Sequence, residues 1–471
     1  MNNRPSALSI RSISAARTVF WVMAVGLTVG CSMSHGSKPS LAAKPIPTTA
    51  PMATASPTTA PAITQWLPPL PTTRYDISDY GAVSDGKTIN TKAIQTLIDN
   101  TAAAGGGIVV VPPGTFLTGA IFLKQGVGLY VDKDGVLKGS TDVADYPMTR
   151  TRIEGHFQPW LPALVNADGI EHLRIGGEGT LDGSGTPFYA AFRTATRARR
   201  GTTNLDVPRP RMVFISNCSD ARVEGLHFFN SGFWNLHVYH SHDVVIDGLD
   251  ILAPPTSPST DGMDIDSSQW ITIHACRIAN NDDGIALKGS KGPTAMDDAD
   301  SPPVEHIHVY DCEFVRAGSF VTCGSEATIV RDVEIDHCRA VGNGGMAVLR
   351  LKLRTDTPQL YEDIHVHDIT LQGRGPLIAM APWTQYADLQ GHAPPTHTVR
   401  NISISNVTGT YGSFGTIRPN PGDGIDHLTL ENIDVKLNNP TPSFTGVTNL
   451  EVKNVTVNGQ DYTGPATQPA R

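Results

Sequence analysis

Apolar or small residues recur along the chain at positions i, i+2, i+5 and i+7 of successive units. The pattern reads Ala221, Val223, Leu226, Phe228, then Val244, Ile246, Leu249, Ile251, then Ile271, Ile273, Cys276, Ile278. It continues through Ile307, Val309, Cys312, Phe314; Val333, Ile335, Cys338, Ala340; and Ile364, Val366, Ile369, Leu371. Units starting at Ile402, Leu428 and Leu450 complete the series, and successive starts lie 22 to 38 residues apart. Two inward residues, a two-residue bend and two more inward residues describe a strand, a corner and another strand. Stacked in parallel at roughly 4.8 Å, such units bury a continuous column of Ile, Val and Leu. The spacing predicts an all-β, single-stranded, right-handed parallel β-helix, with longer intervals carrying loop insertions.

An open solenoid needs a plug. Residues 90–104 supply a helical pattern with Ile94, Leu97 and Ile98 on one face, stopped by Gly105, Gly106 and Gly107. Strand-like runs follow, broken at Pro112-Pro113-Gly114 and Asp134-Gly135. Upstream the character differs. Arg4, Arg11 and Arg17 precede an apolar run over residues 19–29, so residues 1–31 read as an export signal too short for a confident membrane span. Leu27-Thr28-Val29-Gly30-Cys31 is similar to a bacterial lipoprotein cleavage site, which gives Cys31 as a candidate lipid anchor. Residues 32–72, rich in Pro, Thr, Ala and Ser, read as a linker. The β-helix is assigned to residues 73–462 and a flexible tail to 463–471.

Composition narrows the function classes. With 45 glycines and 35 prolines the chain favours strands and turns over bundles. A net charge of −9 gives no reason to expect nucleic acid or an anionic membrane surface as partner, and any acidic polymer must be held by a local basic patch. Cys276, Cys312 and Cys338 share the i+5 slot and read as an internal stack of small apolar side chains. No CxxC spacing exists, and neither metal nor organic cofactor is expected.

The chemistry concentrates in residues 259–288, where Asp261, Asp264 and Asp266 lie about one repeat upstream of Asp282 and Asp283. In a solenoid such carboxylates lie above one another. A glycosidase needs a group of this kind, one carboxyl donating a proton while another activates water. Asp and Asn also populate solenoid turns for purely structural reasons. Neighbours on a regular strand point to opposite faces, so for Asp282 and Asp283 to reach one cleft the backbone must bend there. Arg350, Lys352 and Arg354 alternate with Leu349, Leu351 and Leu353, placing three cations on one face.

Here a resemblance becomes specific. Gly177-Glu178-Gly179-Thr180-Leu181-Asp182-Gly183, Ser259-Thr260-Asp261, Asn281-Asp282-Asp283-Gly284 and Arg350-Leu351-Lys352 resemble, in order, the motifs of glycoside hydrolase family 28, the polygalacturonases and their relatives. The resemblance covers residues 75–460. It implies a bacterial inverting hydrolase of galacturonic-acid-containing pectic polysaccharide or oligogalacturonide, with Asp282 as general acid and Asp261 and Asp283 holding the attacking water. Acid and base roughly 6.5–9.5 Å apart would leave room for that water. It further implies Arg350 and Lys352 as carboxylate-binding residues, and Ser319 and Tyr386, the family's tyrosine, as further substrate-binding residues. The family's histidine slot holds Ser319, which cannot carry positive charge. Relatives that cut rhamnogalacturonan also depart there, so rhamnogalacturonan is the alternative substrate, and exo or endo action stays open.

A β-helix lyase and a non-catalytic carbohydrate-binding β-helix are the competing readings. His240, His242, His306, His308, His365 and His367 fall in pairs at i, i+2, and scattered surface histidines are preferred to a metal site. The arginines at 193, 197, 199, 200, 209 and 211 read either as a basic cleft wall or as a solvated insertion. A monomer is expected, exported as an outer-membrane or periplasmic lipoprotein or secreted.

Overall fold

A computed structural model describes residues 71–464 apart from residue 343. The export signal, Cys31, most of the linker and the end of the tail lie outside the described residues. Strands from Arg74–Asp76 to Gln460–Asp461 wind into one parallel sheet that closes on itself coil by coil, the right-handed parallel β-helix that the repeat predicts. Each coil is three strands. One coil contains Met263–Asp266, Gln269–His274 and Arg277–Ala279, and each pairs in parallel with its counterpart in the next coil, Ile285–Lys288, Val304–Tyr310 and Glu313–Arg316.

The register is the repeat itself: Val244 pairs with Ile271 and Ile271 with Ile307, while Ile251 pairs with Ile278 and Ile278 with Phe314. These side chains are buried, and each contributes about 1.5–3 kcal/mol by leaving water. Cys276, Cys312 and Cys338 are buried in the same core as unpaired thiols. The corners have a local cause. In every one of the nine units the residues at i−1 and i+4 are left-handed, from Asp220 and Gly225 to Asn449 and Asn454. Glycine, asparagine, aspartate and histidine fill most of these places, being the residues that enter this region at least cost. Side-chain amides then bond from coil to coil, as in Asn454 to Asn432 to Asn406.

Helix α1, Thr91–Ala103, buries Ile94, Leu97, Ile98 and Thr101 in the apolar column at its amino-terminal end. Two features interrupt the coils and were not visible as elements in the repeat. One is a hairpin of Thr149–Ile153 and His156–Trp160; the other is helix α2, Thr186–Ala198. The arginine-rich stretch divides: Arg199 and Arg200 are exposed, whereas Arg209 and Arg211 are fully buried. Arg209 lies against the rings of Phe192 and Phe233, and Arg211 donates to the Arg152 carbonyl and Thr151. Among the described residues no helix is long and apolar enough to cross a membrane.

Candidate active site

The parallel register delivers the three aspartates to one point. Met263 pairs with Ile285, so Asp261 and Asp283, each two residues earlier, stand above one another on adjacent coils. Asp282 and Asp283 lie in the turn between Arg277–Ala279 and Ile285–Lys288, where the chain leaves strand geometry and both side chains can serve one cleft. Carboxylate oxygens of Asp261, Asp282 and Asp283 lie within 4.8 Å of one another. This is closer than the carboxyl gap usual for inversion. A water bonded at about 2.8 Å to each of two oxygens still bridges such a separation.

The environment divides the three. Asp283 is fully buried, yet its carboxyl is held below the usual range because Lys352 and Arg350 outweigh the effect of burial. Lys352 Nζ lies 2.6 Å from its Oδ2, while Thr322 and Ser319 hydroxyls donate to Oδ1 at 2.9 and 3.3 Å. Asp282 is pushed up by burial and by the charge of Asp283. Asp261 is pushed well up by burial, then by Asp282 and Asp264. One member is thus ionised beside two that compete for protons, the division acid–base hydrolysis requires.

A cavity of about 300 Å³ opens over the trio, walled by Glu154 and Phe192 from the inserted segments and by Trp234, Glu326, Trp383 and Tyr386. Tyr386 is exposed at its rim with a left-handed backbone. Lys352 lines the cavity over the Trp383 ring, but its ammonium is already engaged with Asp283. Arg350 donates to the Gly318 carbonyl at 2.8 Å and to Asp283 at 3.4 Å. Leu349, Leu351 and Leu353 enter the core as their alternation predicts. Ser319 is fully buried, so in this structure its hydroxyl serves Asp283 and Thr322 and does not line the cavity. Ser259, in the family's asparagine position, donates to Asn204 at 3.0 Å.

Sequence reasoning missed Lys288. It is buried at the cavity floor over the Trp234 ring, 3.5 Å from Asp264, 3.7 Å from Asp261 and 3.5 Å from Glu326. Burial opposes its charge, but Glu326, Asp264 and Asp261 outweigh that and hold it firmly protonated. Alternation had a signal for it, since Ile285 and Leu287 face inward and Lys288 must then face the cleft. Asp264 is fully buried, and neither of its oxygens has a hydrogen-bond partner. Burial pushes its carboxyl up to about 8 despite Lys288. Asp266 is instead paired with buried Arg152 at 3.1 Å and bonded by His237 at 3.4 Å. Among the described residues two groups bring three possible metal-ligand atoms within 4.8 Å: this trio, and His308, Glu334 and Asp336 on another wall.

The family model of glycosyl hydrolases family 28 matches residues 110–459. The chain belongs to that family. A probable polygalacturonase of Vitis vinifera is 28% identical over 309 residues, 62% of this chain, and the match spans 60% of that protein's length. An exopolygalacturonase of Zea mays is 25% identical over 347 residues, 71% of this chain and 76% of the other. In fold, the family 28 chain is similar to a hyperthermoactive exopolygalacturonase from Thermotoga maritima, with TM-score 0.68, 24% identity and coverage of 83% and 93% of the two chains. A family 28 exopolygalacturonase from Yersinia enterocolitica gives TM-score 0.67 at 20% identity, covering 83% and 79%.

Proposed function

We propose that this family 28 protein is an inverting hydrolase of galacturonic-acid-containing pectic polysaccharide, acting on chain ends. The observation that carries the reading is the division inside the trio. Asp282, the less enclosed of the two raised carboxyls, donates a proton to the leaving oxygen. Asp283, ionised by Lys352 and Arg350, and Asp261 hold the water between them. Lys288 and Lys352 in the cavity favour an anionic sugar, which the strongly negative chain would otherwise repel. The hairpin turn bearing Glu154 and helix α2 bearing Phe192 close one side of the cavity, which favours a terminal sugar over a continuous polymer. The names of both relatives agree with this substrate, and that of the Zea mays relative with action on chain ends.

Ser319 and Thr322 take the place of the family's histidine as donors to Asp283, supplying hydrogen bonds without a titratable charge. The reading also includes export, anchoring through Cys31, the domain limits given above and action as a monomer. Purified protein should be incubated with homogalacturonan, rhamnogalacturonan and short galacturonides, and the products separated by size. Release of mono- or disaccharide from the galacturonides from the first time points supports the proposal. Unsaturated, ultraviolet-absorbing ends with loss of activity to chelator would replace it with a lyase, and cleavage of rhamnogalacturonan alone would replace the substrate. Mass spectrometry of the mature amino terminus tests the anchor.

A further inference from the structure

The register that assembles the aspartates also assembles a second cluster on a different wall. Strands Val304–Tyr310, Ile329–Asp336 and Gln359–Gln372 belong to successive coils. Their partners His308, Glu334 and His365 form one outward column, and Tyr310, Asp336 and His367 form the next, two residues along. Residues two apart share a face. His308 Nε2 lies 2.6 Å from Asp336 Oδ2, and His367 Nε2 lies 3.0 Å from Glu334 Oε1. The two contacts run diagonally between the columns, so His308, Glu334 and Asp336 converge and His367 flanks them through Glu334. Ligand atoms of His308, Glu334 and Asp336 lie within 4.8 Å of one another.

The His367 ring and the Asp336 carboxylate are also held from behind. His367 Nδ1 is bonded to Asp368 at 2.7 Å, and the other oxygen of Asp336 is held by His337 at 2.5 Å. An imidazole whose Nδ1 donates to a carboxylate presents the Nε2 lone pair outward, which is how metal-binding histidines are held. The place is accessible, with the side chains of His308 and Glu334 42% and 54% exposed.

We propose that His308, Glu334, Asp336 and His367 bind a divalent first-row transition metal ion, zinc in the first instance, clamping three successive coils. Two neutral imidazoles and two carboxylates are a nitrogen–oxygen set that suits zinc and its neighbours, whereas calcium and magnesium take oxygen alone. The set carries two negative charges, which a divalent ion neutralises. Zinc ligands at about 2.0–2.1 Å in a tetrahedron stand roughly 3.3 Å apart. The 3.0 Å pair is close to that, and the 2.6 Å pair need open by less than about 1 Å, a movement open to the exposed His308 side chain. Other outer-surface histidines are placed differently: His242 meets Asp243 and His306 meets Asp332, each with a single carboxylate, and His274, between Asp247 and Asp311, belongs to no three-ligand group among the described residues.

The test is calorimetric titration of zinc chloride into tag-free protein stripped by chelator, with melting curves in parallel. One saturable site is expected, with a raised melting temperature. Affinity should fall at least tenfold in His308→Gln and in His367→Gln, and should be retained in His306→Gln and in Asp282→Asn. Absence of saturable binding overturns the proposal, as does binding unchanged in both cluster variants. Loss of binding in Asp282→Asn with retention in His308→Gln places the ion among the catalytic carboxylates and overturns it equally. Circular dichroism of each variant shows that the coil is intact.

Discussion

Two clusters of side chains, built on different walls of the same parallel ladder, behave in opposite ways. Around Asp261, Asp282 and Asp283 the carboxyls are enclosed, and burial drives two of them toward the protonated form. Around Asp336 the carboxylate meets solvent-exposed imidazoles, and the bonds from His337 and His308 outweigh desolvation and hold it low. The ladder sets spacing in both. What it does not set is dielectric, and that is supplied by Trp234, Trp383, Glu154 and Phe192, which enclose one cluster and take no part in the other. Catalytic capacity in this fold therefore comes from what is placed over a ladder position more than from the position itself.

The largest expected contrast is between two identical substitutions. Asp282→Asn should lower turnover at least about a hundredfold with a nearly unchanged melting temperature, because it removes a transferable proton and keeps the shape. Asp336→Asn should leave turnover within about twofold. Comparable rates for the two variants on a pectic fragment would erase the distinction.

Next comes the buried cation. Lys352→Met leaves Asp283 enclosed with Arg350 as its remaining cation, and loss of one partner of a buried pair costs about 3–5 kcal/mol. Chemical denaturation should register that loss together with a fall in turnover. Lys453→Met, which removes an exposed partner of Glu451, should move neither. If Lys352→Met leaves stability intact, the pair is not holding the site.

Asp264 gives a pH signature. Its folded carboxyl titrates near 8, against about 3.8 for the free group, so above pH 4 the unfolded chain releases a proton that the folded chain keeps. The folded state binds more protons, and stability falls as pH rises from about 4 to 8. Asp264→Asn should remove that slope, raising the melting temperature by a few degrees at pH 8 and leaving it unchanged at pH 4. Parallel curves for the variant and wild type at both pH values would contradict the assignment. Smaller still, Ser319→Ala removes one hydroxyl of those serving Asp283, and should cost about two- to tenfold in turnover. An inactive Ser319→Ala protein would mean that this hydroxyl has a larger part than supporting Asp283.

The fold was legible because its repeat is a statement about burial. Ala221, Val223, Leu226 and Phe228 and their counterparts point inward for the reason the pattern was recognisable, and α1 was visible through Ile94, Leu97 and Ile98. The aspartates were legible because register follows from the same repeat. Lys288 obeys that alternation too, in the same stretch as the aspartates, but a lone lysine carries no motif of its own. Glu154 and Phe192 were not legible, since they come from insertions whose course no ladder dictates. Helix α2 did leave a trace in Pro187 at its first turn and in Phe188, Tyr189 and Phe192 at helical spacing. The bonds of Arg350, Lys352 and Ser319 to Asp283 were not legible, because sequence shows which face a side chain takes but not which neighbour it meets there.

The central claim is that a water held between Asp261 and Asp283 attacks while Asp282 protonates the leaving oxygen, in one displacement. Proton nuclear magnetic resonance of an α-linked galacturonide during cleavage tests this directly, by following the anomeric signal of the newly formed reducing end before it equilibrates. The account predicts that the β-anomer appears first. First appearance of the α-anomer would show retention, which requires a covalent intermediate and contradicts the water-bridged trio.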